Sequence, residues 1–337
     1  MRRLFYCGEW IESHALHIHL LAAPDFLGFG NAPEMAKVYP SEVKRGIQIQ
    51  HVGNQIIKFL GGRSVHPVGV KVGGFHHAPS NEAASTLLML LRKFLPQVEQ
   101  LLPWVSSLPY PQIKQNFTCV ALHEENTYPF ISTKITSNLS HDISIESYAT
   151  YFSESHEPHS TALFSLFENK PYLVGPLARL NLHFQSLPDE IKHSAESNGL
   201  TFPSRNMYQS IAARAIEIWY AFMESIQILE NYQRPRSPFV EVNVKPGIAY
   251  GCSEAPRGTL WHRYCVNKKG FIENARIVPP TSQNQARMEE DLRLSITELG
   301  LDQSEDKIRF HAEQIIRNYD PCISCATHFL DLRLTRS

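Results

Sequence analysis

Cysteine is scarce in this chain: six residues among 337, at Cys7, Cys119, Cys252, Cys265, Cys322 and Cys325. So sparse and scattered a set excludes the disulfide framework of a small secreted domain. Long apolar runs are missing as well. A stretch such as Leu87 to Leu91 falls far short of the ~20 residues that cross a bilayer, and Arg2-Arg3 leads into Cys7-Gly8-Glu9 without the apolar segment of a signal peptide. Nor is there charge of one sign: 32 Lys and Arg face 33 Asp and Glu, for a net charge of −1. That balance excludes the basic footprint of a nucleic-acid or anionic-lipid binder. These absences point to a cytoplasmic protein, with no direct membrane insertion and no nucleic-acid partner, that acts on small molecules or protein partners.

With 43% apolar residues the chain has ample material for a core. Its patterning predicts mostly helix. One helix is expected from Ser13 to Phe29, stopping near Pro24, and another from Ser41 to Leu60, opening on a capping serine and closing at Gly61-Gly62. After Ser80, Leu87, Leu91, Phe94, Val98 and Leu101 recur at helical spacing, with Pro96 expected to kink or end the helix. From Ser204 to Gln233, Ile211, Ala215, Ile218, Phe222, Ile226 and Leu229 keep one face apolar. Short strands are expected within Asn116 to Ile135, over Val240 to Tyr250, and over Phe271 to Val278 after a turn at Lys268-Lys269-Gly270. The fold class is therefore mainly α with small β elements, an α+β chain built on a helical bundle. Residues 141–159 are polar and histidine-rich and read as a solvated loop. No repeat or linker divides the chain, so one domain is expected over residues 1–337.

Three segments carry chemistry. At the C-terminus, Cys322, Cys325 and His328 form C-x-x-C-x-x-H. Thiolates three residues apart on a helical turn face the same way and can reach one soft metal ion. Spacing alone leaves three readings open: metal ligands, a redox dithiol, or buried thiols. A structural zinc site would require a second C-x-x-C, which this sequence does not contain. Upstream, Glu254-Ala255-Pro256-Arg257-Gly258 fixes an arginine between proline and glycine. Such a guanidinium can hold an anionic group in a dry pocket, or simply pair with a carboxylate at a turn. Between them, Val278-Pro279-Pro280-Thr281-Ser282-Gln283-Asn284-Gln285 places hydroxyl and amide side chains at a helix start, able to donate hydrogen bonds to a buried acceptor.

In this order, the three segments resemble the large subunit of [NiFe] hydrogenases. The resemblance continues through Gly8 to His17 (GEWIESHALH), Gly62 to Pro67 with Gly73-Gly74, and Val174 to Asn181 (VGPLARLN), so it covers nearly the whole chain. It implies reversible splitting of H2 at a nickel–iron centre whose iron carries cyanide and carbon monoxide. Cys322 would then be a terminal nickel thiolate and Cys325 a thiolate shared by nickel and iron. Arg257 would lean over the open position beside Pro256, with Asp25 and Asp320 as its acidic neighbours, and Thr281 would hydrogen-bond a cyanide. His328 and the backbone carbonyl of Ile277 would ligate magnesium or a further iron. Residues 329–337 would be a peptide removed by a maturation endopeptidase. The implied partners are a small subunit with iron–sulfur clusters and, for the cytoplasmic bidirectional group that the C-terminal wording is most similar to, flavin- and NAD(P)-binding subunits.

The sequence departs from that family in one respect. A family member carries two C-x-x-C motifs, the first upstream of the GEWIESHALH helix, together with a glutamate proton relay and a magnesium-binding glutamate. This chain starts at Met1, seven residues before Gly8, and Cys7 reads as a core thiol. Two of the four thiolates are absent, so the expectation is an N-terminally truncated large subunit, unstable and inactive as it stands. The competing expectation is a non-catalytic paralogue that keeps the fold as a scaffold.

Overall fold

The structure is a computed structural model that describes residues 1–125, 127–139 and 142–322. Its axis is the helix Ser210–Glu230, in which every residue from Ser210 through Phe222 is buried, Arg214 and Glu217 included. Sequence patterning predicts one apolar face there. The structure surrounds the helix instead, packing it against Arg2–Leu16, Asn81–Glu99, Leu101–Ser106, Pro176–His183 and Asp189–Ser197. A helix ringed by others must be apolar nearly all round, so its two buried charged residues, Arg214 and Glu217, need partners inside the protein.

The first helix begins at Arg2, eleven residues before the predicted start at Ser13. Leu4, Cys7, Trp10, Ile11 and Ala15 supply its buried stripe, and Cys7 is a core thiol. It runs into a π-helical turn, His17–Ala22, and then a short helix Ala23–Phe26 containing Pro24. Proline has no N–H to return to the preceding turn, and widening that turn removes the clash. The helix Pro40–Gly61 starts on Pro40 with Tyr39 at its cap, so Ser41 is not the predicted capping residue, and it closes before Gly62 at φ +79° as expected. Ser80 does cap Asn81–Glu99, accepting from the Ala83 amide, and Pro96 falls in the last turn of that helix.

The first helix and Pro40–Gly61 cross backbone to backbone. A Cβ on Gly53 would lie 2.6 Å from the Glu12 nitrogen and 2.8 Å from the Gly8 oxygen. Gly53→Ala must therefore push two core helices apart, and we expect a loss of about 1–3 kcal/mol, read as an earlier urea midpoint with an unchanged slope. A midpoint equal to wild type would show that the crossing is not this tight.

Two antiparallel meanders flank the bundle. One joins Val120–Leu122, Lys134–Ser137 and Ile143–Ser144, and the other joins Gly247–Ala255, Gly258–Val266 and Ile272–Val278. The turn at Lys268-Lys269-Gly270 falls where predicted. The preceding strand does not: it begins at Gly247, and residues 240–246 are exposed and outside any ladder. Alternation there comes from Val240, Val242 and Val244, all exposed, so periodicity marks a strand-like segment that, among the described residues, forms no ladder and makes one backbone bond, from the Val240 amide to the Gly73 carbonyl. The predicted solvated loop at 141–159 is likewise corrected. Ile143, Ile145, Tyr148 and Phe152 are buried with Tyr172 and Trp261 in a second core beneath the sheets, because apolar residues are interleaved with the histidines and acids that dominate its composition.

Candidate metal centre

The C-terminal segment is delivered by the helix Glu305–Tyr319, which ends on Asp320 in a left-handed conformation, φ +53°. Aspartate tolerates that conformation better than most residues, and the turn redirects Pro321 and Cys322 toward the start of the helix Pro280–Leu299. There the Cys322 amide donates to Thr281 Oγ1 at 3.3 Å. Thr281 is buried in the first turn, after Pro280 at the first helical position. Cys322, half-buried, thus has its backbone beside a helix N-terminus. Cys325 and His328 lie outside the described residues.

Arg257 comes from the two-residue turn between the strands Gly247–Ala255 and Gly258–Val266. Its Nε donates to the Asp320 carbonyl at 2.7 Å and an NH2 group donates to Asp320 Oδ1 at 3.1 Å. Nε also lies 3.1 Å from Oδ2. The structure therefore brings Arg257, Asp320, Cys322 and Thr281 together from three distant parts of the chain, and a narrow cavity is lined by Arg257, Thr281, Asn284, Tyr319, Asp320 and Pro321. Burial pushes the Asp320 carboxyl above its ordinary range, while Arg257 and Arg214 pull it the other way. Asp25 is placed differently. Its carboxylate takes Arg317, at 2.6 Å, rather than Arg257. Pro256 precedes Arg257, and its carbonyl accepts from Arg179 at 2.9 Å. Ile277 lies in the last strand opposite His262, and 48% of its surface is exposed.

The amides predicted to face a buried acceptor act mostly on the scaffold. Gln283 donates to the carbonyls of Thr259 and Val278, and Asn284 both accepts from the Val174 amide at 2.9 Å and donates to its carbonyl at 3.2 Å. Thr281 is the one left facing Cys322.

Sequence reasoning missed the charged cluster beneath this turn. Arg179, Glu217, Glu254 and His14 are each fully buried. Arg179 grips Glu217 with two bonds of 2.7 Å and reaches Glu254 at 2.8 Å. His14 Nε2 lies 2.8 Å from Glu217, and the Tyr128 hydroxyl donates to the same carboxylate at 2.7 Å. Burial would raise Glu217, but the guanidinium of Arg179 outweighs it and holds the carboxyl at about 2. Burial lowers His14 to about 4, so it is neutral at pH 7 despite its carboxylate partner. The signal was available: Arg214 and Glu217 are the only charges in the otherwise apolar run from Ile211 to Met223, and buried charges demand partners. A surface cleft of about 850 Å³ between Pro40–Gly61 and Asn81–Glu99 contains none of these residues.

Taken alone, the geometry defines a helical bundle that delivers a cysteine to a helix N-terminus beside an ion-paired arginine. Among the described residues no three His, Cys, Asp or Glu side chains converge as a complete metal site. The donor chemistry nonetheless fits a soft metal: a cysteine at a helix N-terminus, a hydroxyl beside it and a guanidinium over the cavity.

Comparison with known proteins places this arrangement. Residues 112–328 match the family described as Nickel-dependent hydrogenase. The chain is 30% identical over 336 residues to the alpha subunit of sulfhydrogenase 1 of Pyrococcus furiosus, covering 98% of this chain and 78% of that subunit. It is 27% identical over 372 residues to the beta subunit of the NAD-reducing hydrogenase HoxS of Cupriavidus necator, covering 98% and 76%. In structure it matches a crystallised NAD+-reducing [NiFe]-hydrogenase in the H2-reduced state with a TM-score of 0.87, at 23% identity over 97% of this chain and 79% of that one, a likeness of fold. This chain belongs to the nickel-dependent hydrogenase family, oxidoreductases that act on H2, and has the fold of their large subunit. Among the described residues no helix is long and apolar enough to cross a membrane.

Proposed function

We propose that the chain is the catalytic large subunit of a [NiFe] hydrogenase, with H2 split reversibly into protons and electrons at a nickel–iron centre whose iron carries cyanide and carbon monoxide. One observation carries this reading: the three segments that hold Arg257, Thr281 and Cys322 meet at one cavity, with the Cys322 amide on Thr281 and Arg257 clamped to Asp320. When bound, the metals supply the Lewis acidity that polarises H2. Cys322 and Cys325 are the thiolates this chain contributes to them. Thr281 Oγ1, already accepting from Cys322, keeps its own proton to donate to an anionic cyanide. Arg257, held by Asp320 with Pro256 behind it, places positive charge where H2 enters and orders the proton acceptor. Asp25 acts one residue further out, through its pair with Arg317.

The same proposal assigns His328 and the Ile277 carbonyl to a magnesium or iron ion, and residues 329–337 to a peptide cut by a maturation endopeptidase. Electrons leave through an iron–sulfur small subunit. NAD(P) coupling through flavin-bearing subunits in the cytoplasm is the finer reading, supported by the NAD-reducing relative. The test is to purify the chain with co-expressed partner subunits, determine nickel and iron by plasma mass spectrometry, and assay H2-dependent NAD+ and dye reduction. Nickel with iron and H2-dependent electron transfer is expected where the two thiolates that this sequence lacks are supplied with the partner subunits, and neither where they are not. Zinc in place of nickel, without iron, would sink the proposal and leave a zinc-binding module.

A further inference from the structure

Arg257 stands in a tight turn with its guanidinium partly exposed, so something beneath the turn must aim it. The Asp320 pair restrains its tip, not its root. The root is gripped by the segment Val174 to Arg179. Arg179, fully buried, uses all five of its N–H donors: Nε and one NH2 proton on Glu217, one NH1 proton on Glu254, the other on the Ala255 carbonyl at 3.1 Å, and the last on the Pro256 carbonyl at 2.9 Å. It also lies 4.4 Å over the Trp10 ring. The two carbonyls it holds are the ones immediately before Arg257.

A second contact, independent of charge, comes from the same segment. Gly175, at φ +103°, is so close to the turn that a Cβ there would lie 2.6 Å from the Arg257 carbonyl oxygen, and a Cβ on Gly258 would lie 2.5 Å from Val174 Cγ2. Only glycine permits both the conformation and the approach. The Arg179 amide donates to the Gly175 carbonyl at 2.9 Å, so one helical turn links the two grips. Asn284 pins Val174 through both its amide and its carbonyl, tying the clamp to the helix that bears Thr281.

We propose that Gly175 and Arg179 are positioning residues that set the direction of Arg257, an inference that rests on the proposed role of Arg257 at the hydrogen-splitting site. Arg179 touches neither substrate nor metal and acts only through the backbone of the turn. Lysine at 179 would keep the charge, but its single nitrogen cannot span two carboxylates and two carbonyls.

The test uses the full chain twice. In the metal-free chain, phenylglyoxal modification of Arg257 is followed by peptide mass mapping, with the exposed Arg236 as internal reference. Gly175→Ala and Arg179→Lys should label Arg257 at least about fivefold faster than wild type. In the nickel-loaded enzyme the same variants should lose about tenfold or more in kcat per bound nickel, with KM for H2 within about twofold, since small displacements of an oriented group cost up to ~10²-fold. A purely structural role would lower the melting temperature and nickel content and leave kcat per nickel unchanged. Cooperatively folded variants with wild-type labelling and wild-type kcat per nickel overturn the inference. If Arg179→Lys does not fold, Gly175→Ala, which removes no charged group, decides alone. Arg257→Lys is run beside them: full activity there would reject the role of Arg257, while the labelling rates would still decide whether the clamp aims it.

Discussion

Cys322→Ser should leave a folded chain that retains no nickel and turns over no H2. A metal ligand lost outright costs more than the ~10–100-fold that follows loss of an outer-shell partner, and serine offers a hard, weakly acidic oxygen in place of a polarizable thiolate. Folding should hardly change. The Cys322 side chain is half-buried, and the contact at this residue made through its backbone amide to Thr281 survives the substitution. Stability should stay within about 0.5 kcal/mol. Thr281→Val separates two contributions at the same spot: it keeps the volume and removes both the acceptor of the Cys322 amide and the donor toward a cyanide. Its expected cost is the smaller ~10–100-fold. Cys265→Ser serves as the control, since Cys265 lies on the outer sheet opposite Ile248 and Asn274. The measurement is nickel per chain with H2-dependent dye reduction. Retention of wild-type nickel by Cys322→Ser would remove this cysteine from the metal centre.

Much of the bundle was legible because helical periodicity survives in its helices, and the turn residues of the second meander are where local chemistry requires them. Legibility failed where the environment overrides the local pattern. The first helix carries Gly8 and two adjacent aromatics ahead of its obvious apolar stretch, and its glycine makes sense only once Gly53 is seen against it. Residues 240–246 alternate as a strand does, yet pairing is a property of a neighbour, and along them the described residues offer a single backbone bond, from the Val240 amide to the Gly73 carbonyl. At the site, the family resemblance rather than spacing singled out Arg257, Thr281 and Cys322, and the fold explains their meeting through Asp320 in its left-handed turn. The same motifs could not place Asp25, whose partner Arg317 lies 292 residues away on another helix. Nor could they reveal the Arg179 cluster: Glu217 stands out as the lone acid of an apolar run, but Arg179 looks like any other charge until its partners arrive from separate elements.

That cluster carries the other large effect. Glu217→Gln should destabilise the chain by about 3–5 kcal/mol at pH 7, the range for breaking one side of a buried ion pair. Glutamine keeps the volume, but it can accept one of the two Arg179 bonds at most, and it leaves His14 and Tyr128 competing for the rest. The pH dependence gives the effect its signature. Glu217 titrates at about 2 in the fold, against an ordinary 4.5. A carboxyl depressed by folding contributes stability that is present above its unfolded value and is lost as pH falls toward the folded one. The gap between wild type and Glu217→Gln should therefore be constant above pH 5 and narrow by about 1.4 kcal/mol per unit below 4.5. The wild-type curve alone would hide this, because its other groups oppose one another. His14 and His183, both lowered by burial to about 4, lose stability as pH falls below 6.5, whereas Glu9, raised by burial to about 7, gains it over the same range. Subtracting the variant from the wild type cancels His183 and Glu9, while His14, bonded to Glu217 itself, cancels only above the pH near 4 at which it protonates in the fold, so the pair is read from pH 7 down to that point. Urea unfolding from pH 7 to pH 3.5 makes the measurement. A gap that stays flat through pH 4 would mean that Glu217 is not held ionised by Arg179. The clamp beneath Arg257 would then rest on the Glu254 pair and the backbone contact at Gly175.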